Sequence, residues 1–250
     1  QAETHVPWEG PTVDTFKAGN PDTVVTGIAT SFTDRMDVLE RAAASGKNFV
    51  ISHEPSFYNH LDETKGLVND PVFQAKMAFI NQHHMVVFRF HDHWHRRSPD
   101  GILEGMTEAL GWQGYQTARG ERRFTIPETT LRQFAASIQN RLHIRTLRVV
   151  GNPAMKVSRV GFLPGAAGAE MQIKMLERDD IDVLVVGESR EWETVEYTRD
   201  AVKQGRAKAL ILMGHVASEE EGMKNCAQWL KTFLPGIPIE FLPAGEPFWR

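Results

Sequence analysis

Phe88-Arg89-Phe90-His91-Asp92-His93-Trp94-His95 is the stretch around which the chain is organised. It overlaps the end of an apolar run, residues 85–88, that is typical of a buried strand. It also places three histidines and an aspartate within five residues. Ligands bind beyond the carboxyl ends of parallel strands, and imidazole together with carboxylate suits zinc, iron, manganese or nickel. The stretch therefore predicts metal ligands at the edge of a sheet.

Strands and helices alternate on both sides of this stretch. We predict strands over residues 23–29, 48–52, 85–90, 146–151, 157–163, 183–186, 207–213 and 237–242. We predict helices over residues 34–45, 70–83, 100–110, 128–141, 168–178, 190–204 and 217–233. Residues 1–22 are polar and rich in Pro and Gly, and are predicted to be an extended lead-in.

This alternation predicts an α/β protein made of two similar α/β lobes with mainly parallel or mixed sheets. We expect residues 1–118 to hold the N-terminal part of the first lobe. Residues 119–250 then hold the second lobe and the closing strand. Residues 119–131 are polar, and are expected to form an edge strand or a connection.

The composition excludes several classes of protein. A net charge of -4 gives no basic footprint for nucleic acid. The sequence contains no run of eighteen or more apolar residues, so no membrane span is predicted. Cys226 is the only cysteine, so no intrachain disulfide or thiolate metal cluster can form. The chain begins at Gln1, and a leader removed before it would place the protein in the periplasm or outside the cell.

Ligand-type side chains recur at other predicted strand ends, namely His53 with Glu54, Glu188, and His215 with Glu219. His215 and Glu219 are four residues apart, so on a helix they share one face and can hold one ion. Each motif has a simpler interpretation. His215 and Glu219 could be an exposed helix pair of little energetic value. The histidines between 91 and 95 could be an exposed face of an extended chain. Their joint occurrence at several strand ends favours a metal site.

Several of these runs resemble one known family. The runs are Val50-Ile51-Ser52-His53-Glu54-Pro55, Val160-Gly161-Phe162-Leu163-Pro164-Gly165, Asp182-Val183-Leu184-Val185-Val186-Gly187-Glu188 and Gly214-His215-Val216-Ala217-Ser218-Glu219. They resemble, in order and over nearly the whole chain, the NIF-three-like dinuclear-metal-centre hexameric family, which often carries the name type 2 GTP cyclohydrolase I. The Gly-His-x-x-x-Glu run is the most specific part of the resemblance.

The resemblance implies a metal site in the cleft between the two lobes, a toroidal hexamer and a cytoplasmic location. Two positions depart from the family pattern: Glu54 stands at its second histidine, and His95 stands at its bridging aspartate. Because an imidazole cannot bridge two ions, we expect either one or two divalent ions per chain, of Zn, Fe or Mn. The predicted metal ligands are His53, His91, His95, His215 and Glu219.

A metal site of this kind predicts metal-dependent hydrolysis by an activated water molecule. Glu54, Asp92 and Glu188 are the predicted catalytic carboxylates. The substrate would be a small molecule, and cyclohydrolase, phosphoesterase and amidase chemistry all remain open. The alternative is a non-catalytic metal-binding protein or a regulatory hexamer.

Overall fold

The computed structural model describes residues 3–249 as two compact units. The first unit comprises residues 3–102 and 222–244, and the second comprises residues 103–221 and 245–249. Within the described residues there are two five-stranded sheets and eight α-helices. The predicted α/β class with mixed sheets is confirmed. The predicted division at residues 118 and 119 stays a prediction.

The first unit is built on a mixed sheet. Its strands are β1 (Phe16–Ala18), β2 (Ile28–Ser31), β3 (Phe49–Ser52), β4 (Val86–Arg89) and β10 (Ile239–Phe241). Their order is β1-β4-β3-β2-β10, and all neighbours are parallel except β1 and β4. The helices that begin in this unit are α1 (Met36–Ala44), α2 (Pro71–Gln82), α3 (Asp92–Arg96) and α4 (Gly101–Leu110).

The second unit has a sheet of the same size. Its strands are β5 (Arg123–Thr130), β6 (Arg148–Val150), β7 (Lys156–Leu163), β8 (Val183–Val186) and β9 (Ala209–Leu212). Their order is β5-β7-β8-β9-β6, with both edge strands antiparallel to their neighbours. The remaining α-helices are α5 (Leu131–Leu142), α6 (Ala169–Glu177), α7 (Glu196–Lys203) and α8 (His215–Lys231). A 3-10 turn spans Gln113–Tyr115 and a π-helical turn spans Glu191–Val195.

The central strands β8 and β9 of the second sheet are apolar, and both of their faces are covered. All four residues of β8 and all four of β9 are buried. Parallel strands packed under helices lack the alternation of apolar and polar residues seen in a half-exposed strand, since the side chains on both faces are shielded from water. In the second unit this core includes Leu163, Leu176, Leu184 and Leu210.

Two sequence predictions are corrected by the structure. The lead-in contains a strand, β1, which is only three residues long and pairs with β4 at the sheet edge. The interpretation of residues 91–95 as an extended chain is wrong, because residues 92–96 form the helix α3. On a helix His91 and His95 are one turn apart and share a face, whereas His93 points elsewhere.

Among the described residues, no helix is long and apolar enough to cross a membrane.

Trp94 belongs to an aromatic cluster in the first unit. Its side chain is fully buried against the rings of Phe90 and Trp229, at centroid distances of 5.6 and 5.2 Å. Its indole N–H donates a hydrogen bond of 3.2 Å to the carbonyl of Gly222. The backbone of Gly101 also lies directly against this ring, so that a Cβ there would be 2.2 Å from Trp94 Cε2.

We expect Gly101→Ala to lower the free energy of unfolding by about 1–3 kcal/mol, because either the indole or the start of α4 must move to admit a methyl group. Urea unfolding followed by tryptophan fluorescence measures the change. Gly66→Ala is the matched control, since a Cβ at Gly66 meets no atom within 4 Å. Equal stability of Gly101→Ala and the wild type would show that Trp94 is not packed as described.

Candidate functional site

His53 directly follows β3, and its imidazole is buried. Its Nδ1 lies 3.2 Å from the carbonyl oxygen of Phe90. The position is set by the sheet: β3 and β4 are parallel neighbours, so the residues that follow them emerge side by side. The strand-end argument from the sequence thus brings His53 next to the stretch that follows β4.

His91, the N-cap residue of α3, and His95, one turn later, both lie against His53. The backbone N–H of His95 donates to the carbonyl of His91 at 3.0 Å, so the two imidazoles lie on one helix face. The ring centres of His53, His91 and His95 are 4.6, 4.9 and 5.0 Å apart. Each ring offers a nitrogen within 4.8 Å of those of the other two. We call these three residues the histidine cluster.

The Nδ1 atom of every ring in the histidine cluster faces an oxygen acceptor. The acceptors are the carbonyl of Phe90 for His53, Asp92 Oδ1 at 2.9 Å for His91, and Asp100 Oδ2 at 3.0 Å for His95. An acceptor at Nδ1 favours the proton there and leaves the lone pair on Nε2. Histidine ligands of metal ions are oriented in this way, by a carboxylate or carbonyl at the other ring nitrogen.

The electrostatics around His91 favour a neutral imidazole. Burial and the neighbouring rings of His53 and His95 lower the pKa of His91 to about 4, against the opposing effects of Asp92 and Glu54. For Asp92, burial raises the pKa, but hydrogen bonds from His91, Thr12 and the Val13 N–H outweigh it and lower the pKa to about 2. At neutral pH the pair is therefore a neutral imidazole and a carboxylate, the states that a metal ligand and its orienting partner require.

Glu54 lies between the histidine cluster and a buried arginine. Its Oε1 is 3.8 Å from His91 Nε2, and its Oε2 is 3.8 Å from Arg89 Nη2. Arg89 is fully buried and also donates to the carbonyls of His53 and His60. The guanidinium therefore fixes the loop after β3 and holds a positive charge beside Glu54.

Three further predicted residues lie in the second unit, two of them at the start of α8. His215 Nε2 is 3.1 Å from Glu219 Oε2, one helical turn on, and His215 Nδ1 is 3.2 Å from Glu188 Oε1. The Glu219 carboxylate is almost buried and lies against Gly165, where a Cβ would be 2.2 Å from its Oε1. Gly165 also has a positive φ of 66°, so two constraints require glycine there.

A cavity of about 580 Å³ lies beyond the ends of β7 and β8 in the second unit. Glu188 lines it, together with Ser189 and Arg190 from the loop after β8. Its floor includes the buried Gln172, which donates to the Glu188 carbonyl at 2.9 Å and accepts from Thr194 at 2.7 Å. A volume of this size accommodates a small-molecule ligand.

The structure thus groups His53, His91 and His95 in the first unit, with Glu54 and Asp92 beside them. It groups His215, Glu219 and Glu188 in the second. The contacts of Asp100 with His95 and of Arg89 with Glu54 were not predicted from the sequence. Nor was the position of His60, whose ring centre is 6.2 Å from that of His91. Asp100 had a local signal, since it is the first residue of the predicted helix 100–110 and aspartate is a typical capping residue, whereas Arg89 had none.

The donor set fits a divalent transition metal. Three imidazoles, each oriented through Nδ1, suit zinc or iron better than calcium or magnesium, which prefer oxygen ligands. A site with three protein ligands also leaves a coordination position for water or substrate.

Comparison with known proteins places the chain among related folds. The profile of the DUF34/NIF3 (NGG1p interacting factor 3) family matches residues 14–246. Protein SA1388 of Staphylococcus aureus is similar in structure, with a TM-score of 0.73 and 18% identity over 99% of this chain and 94% of that one. A Bacillus cereus protein related to NIF3 gives a TM-score of 0.75 and 14% identity over 96% of this chain and 94% of that one.

HcgD from Methanocaldococcus jannaschii, in its reduced form, has a TM-score of 0.64 and 15% identity over 92% of this chain and 88% of that one. No curated protein matches the chain. The identities to these structures are low, so the structural likenesses establish the fold alone. The family profile covers nearly the whole sequence, and the chain belongs to the DUF34/NIF3 family.

Proposed function

We propose that this protein binds a divalent metal ion through His53, His91 and His95 and hydrolyses a small-molecule substrate. The observation that carries the proposal is the shared orientation of the three rings. Each Nδ1 faces an oxygen acceptor, so the nitrogens that remain can act together as ligands. Packing alone would not require a carbonyl and two carboxylates to orient three rings in the same way.

The chemistry proposed for this site is hydrolysis. A divalent ion held by His53, His91 and His95 would lower the pKa of a water molecule and so supply a nucleophile at neutral pH. Around it, this chain contributes a general base and groups that orient the ligands. Glu54 is the favoured base, because its carboxylate is 3.8 Å from His91 Nε2 and so lies beside the histidine cluster.

Asp92 is better suited to orienting His91 than to removing protons. Its Oδ1 accepts from His91, and its Oδ2 accepts from the Thr12 hydroxyl and the Val13 N–H. With both oxygens engaged and a pKa of about 2, it is a weak base at neutral pH. Glu188, in the second unit, lines the cavity and contacts His215, which supports a role in binding substrate.

His215 and Glu219 remain proposed metal ligands on the basis of the family resemblance. Their side chains are 3.1 Å apart on one face of α8, which supports a shared role. Whether the chain holds one ion or two is decided by the metal content of variants in each group.

The alternative is a protein that binds metal without catalysis. The complete burial of His53 favours it, because a buried ligand restricts access to an ion. The cavity beside Glu188 favours the hydrolase, because a storage or delivery protein has no need of a small-molecule pocket.

We expect the wild-type protein, stripped with a chelator and reloaded, to hold at least one equivalent of Zn, Fe or Mn. His53→Ala and His95→Ala should weaken binding by about 100-fold or more, since each removes a ligand rather than an orienting partner. Elemental analysis and chelator competition measure the content and the affinity. His83→Ala is the control, as His83 is an exposed histidine outside the histidine cluster.

His215→Ala and Glu219→Gln extend the same measurement to the second unit. Loss of one of two equivalents would indicate a second ion, and loss of affinity for a single equivalent would indicate one. A wild type that retains no metal after reloading would rule out the metal proposal.

We expect Glu54→Gln to lower the rate of metal-dependent hydrolysis by about 100-fold or more while the metal content stays unchanged, because the amide cannot accept a proton. Phosphoester, amide and cyclic purine substrates, each assayed with Zn, Mn and Fe, form the test panel. Glu63→Gln changes an exposed carboxylate of the same loop and serves as control. A metal-loaded protein that hydrolyses none of these substrates would favour the non-catalytic alternative.

We further propose that the chain forms a homo-oligomer, and from the family resemblance a hexamer. The rings of Trp192 and Trp249 are 73% and 88% exposed, and aromatic side chains of this kind are enriched in subunit contacts. Light scattering on the purified protein should give about six times the 28.2 kDa chain mass. A mass equal to one chain would contradict this proposal.

A further inference from the structure

The lead-in segment that precedes β1 contains a fully buried carboxylate, Asp14. Its Oδ1 accepts the backbone N–H groups of His91 and Asp92, at 2.7 and 2.9 Å. Its Oδ2 accepts the backbone N–H of His93 at 2.8 Å and faces His93 Nδ1 at 2.6 Å. Asp14 therefore caps α3 from a position almost eighty residues earlier in the chain.

This cap is required because α3 cannot hold its own geometry. The helix has five residues, and its N-cap residue, His91, makes no side-chain capping bond of its own. Isolated helices of this length are unstable in water, since one turn fixes many dihedral angles for few hydrogen bonds. The three N–H groups that Asp14 accepts are those that a helix start leaves without an intrahelical partner.

Two further contacts tie the same segment to the histidine cluster. The Thr12 hydroxyl and the Val13 N–H donate to Asp92 Oδ2, at 2.9 and 3.2 Å. Asp92 in turn faces His91 Nδ1 through its other oxygen. The segment thus fixes the orienting carboxylate of one proposed ligand as well as the helix that carries two.

Trp8 closes the segment over the far side of α3. Its ring stacks on that of His93 at a centroid distance of 3.9 Å, with 15° between the planes. His93 is thereby held away from the face that carries His91 and His95. The Nε2 atom of His93 is buried and has no hydrogen-bond partner. The His93 ring therefore contributes to packing and does not join the histidine cluster.

We propose that Asp14 is a positioning residue of the candidate metal centre. By capping α3 and binding His93, it sets the direction of His91 and His95 toward His53. This role rests on the proposed metal site, but the ring geometry that Asp14 sets can be measured in the metal-free protein. Thr12 acts with it through Asp92.

The test compares Asp14→Asn with Asp22→Asn, the same substitution at an exposed position of the same lead-in. Asparagine is as good a helix cap as aspartate, but its nitrogen cannot accept the His93 N–H groups. We expect Asp14→Asn to weaken metal binding by about 10- to 100-fold, the range for residues that orient ligands, with the far-UV circular dichroism unchanged. Asp22→Asn should bind like the wild type.

A second readout is the nitrogen NMR spectrum of the imidazole rings in the metal-free protein. Wild type should show His91 and His93 protonated at Nδ1, and Asp14→Asn should change both signals. Wild-type metal affinity and unchanged ring signals in Asp14→Asn would overturn the inference. A wild type that binds no metal but shows the altered ring signals in the variant would defeat the proposed function and leave the positioning role supported.

Thr12→Val provides a second test if Asp14→Asn does not fold. It removes one donor to Asp92 and changes little volume. A loss of metal affinity together with a shifted His91 signal supports the inference. An unchanged affinity and an unchanged signal contradict it.

Discussion

The parallel pairing of β3 with β4 is the constraint on which the first unit's site depends. Ser52 pairs with Arg89, and the N–H of Phe90 donates to the carbonyl of Ser52 at 2.8 Å. The residue that follows each strand then lies beyond the end of the sheet, and the carbonyl oxygen of Phe90 is 3.2 Å from His53 Nδ1. Register and ring orientation are therefore one feature, because moving β4 by a residue would remove the acceptor of His53 and reverse the faces of the strand.

Buried charge around this sheet edge is tolerated because each group has partners. Arg89 donates to two carbonyls and lies 3.4 Å from Asp62, which also pairs with Lys17 at 3.1 Å. A buried charge that loses its partner costs several kcal/mol, roughly 3–5, whereas a fully bonded one is nearly neutral. The loop that carries His53 and Glu54 is thus fixed by polar contacts that the hydrophobic pattern of the sequence does not contain.

The sequence alone predicted most of the alternating elements and the strand ends where ligand-type side chains gather. The apolar runs at β3, β8 and β9 predicted the central strands, since a strand buried on both faces has a distinctive composition. The position of His53 and the pairing of His215 with Glu219 followed from strand ends and helical spacing. The edge strand β1 did not, because three residues paired on one side have no periodicity to detect.

The stretch from His91 to His95 shows why local pattern could not finish the site. An extended chain would place all three histidines on one face, and a helix places two together and turns the third away. Five residues with weak intrinsic preference do not decide between these states. The decision comes from Asp14, which accepts three backbone N–H groups that only a helical turn aligns. The identity of the proposed ligands therefore depends on a carboxylate remote in sequence, whose partners become visible only when the fold brings them together.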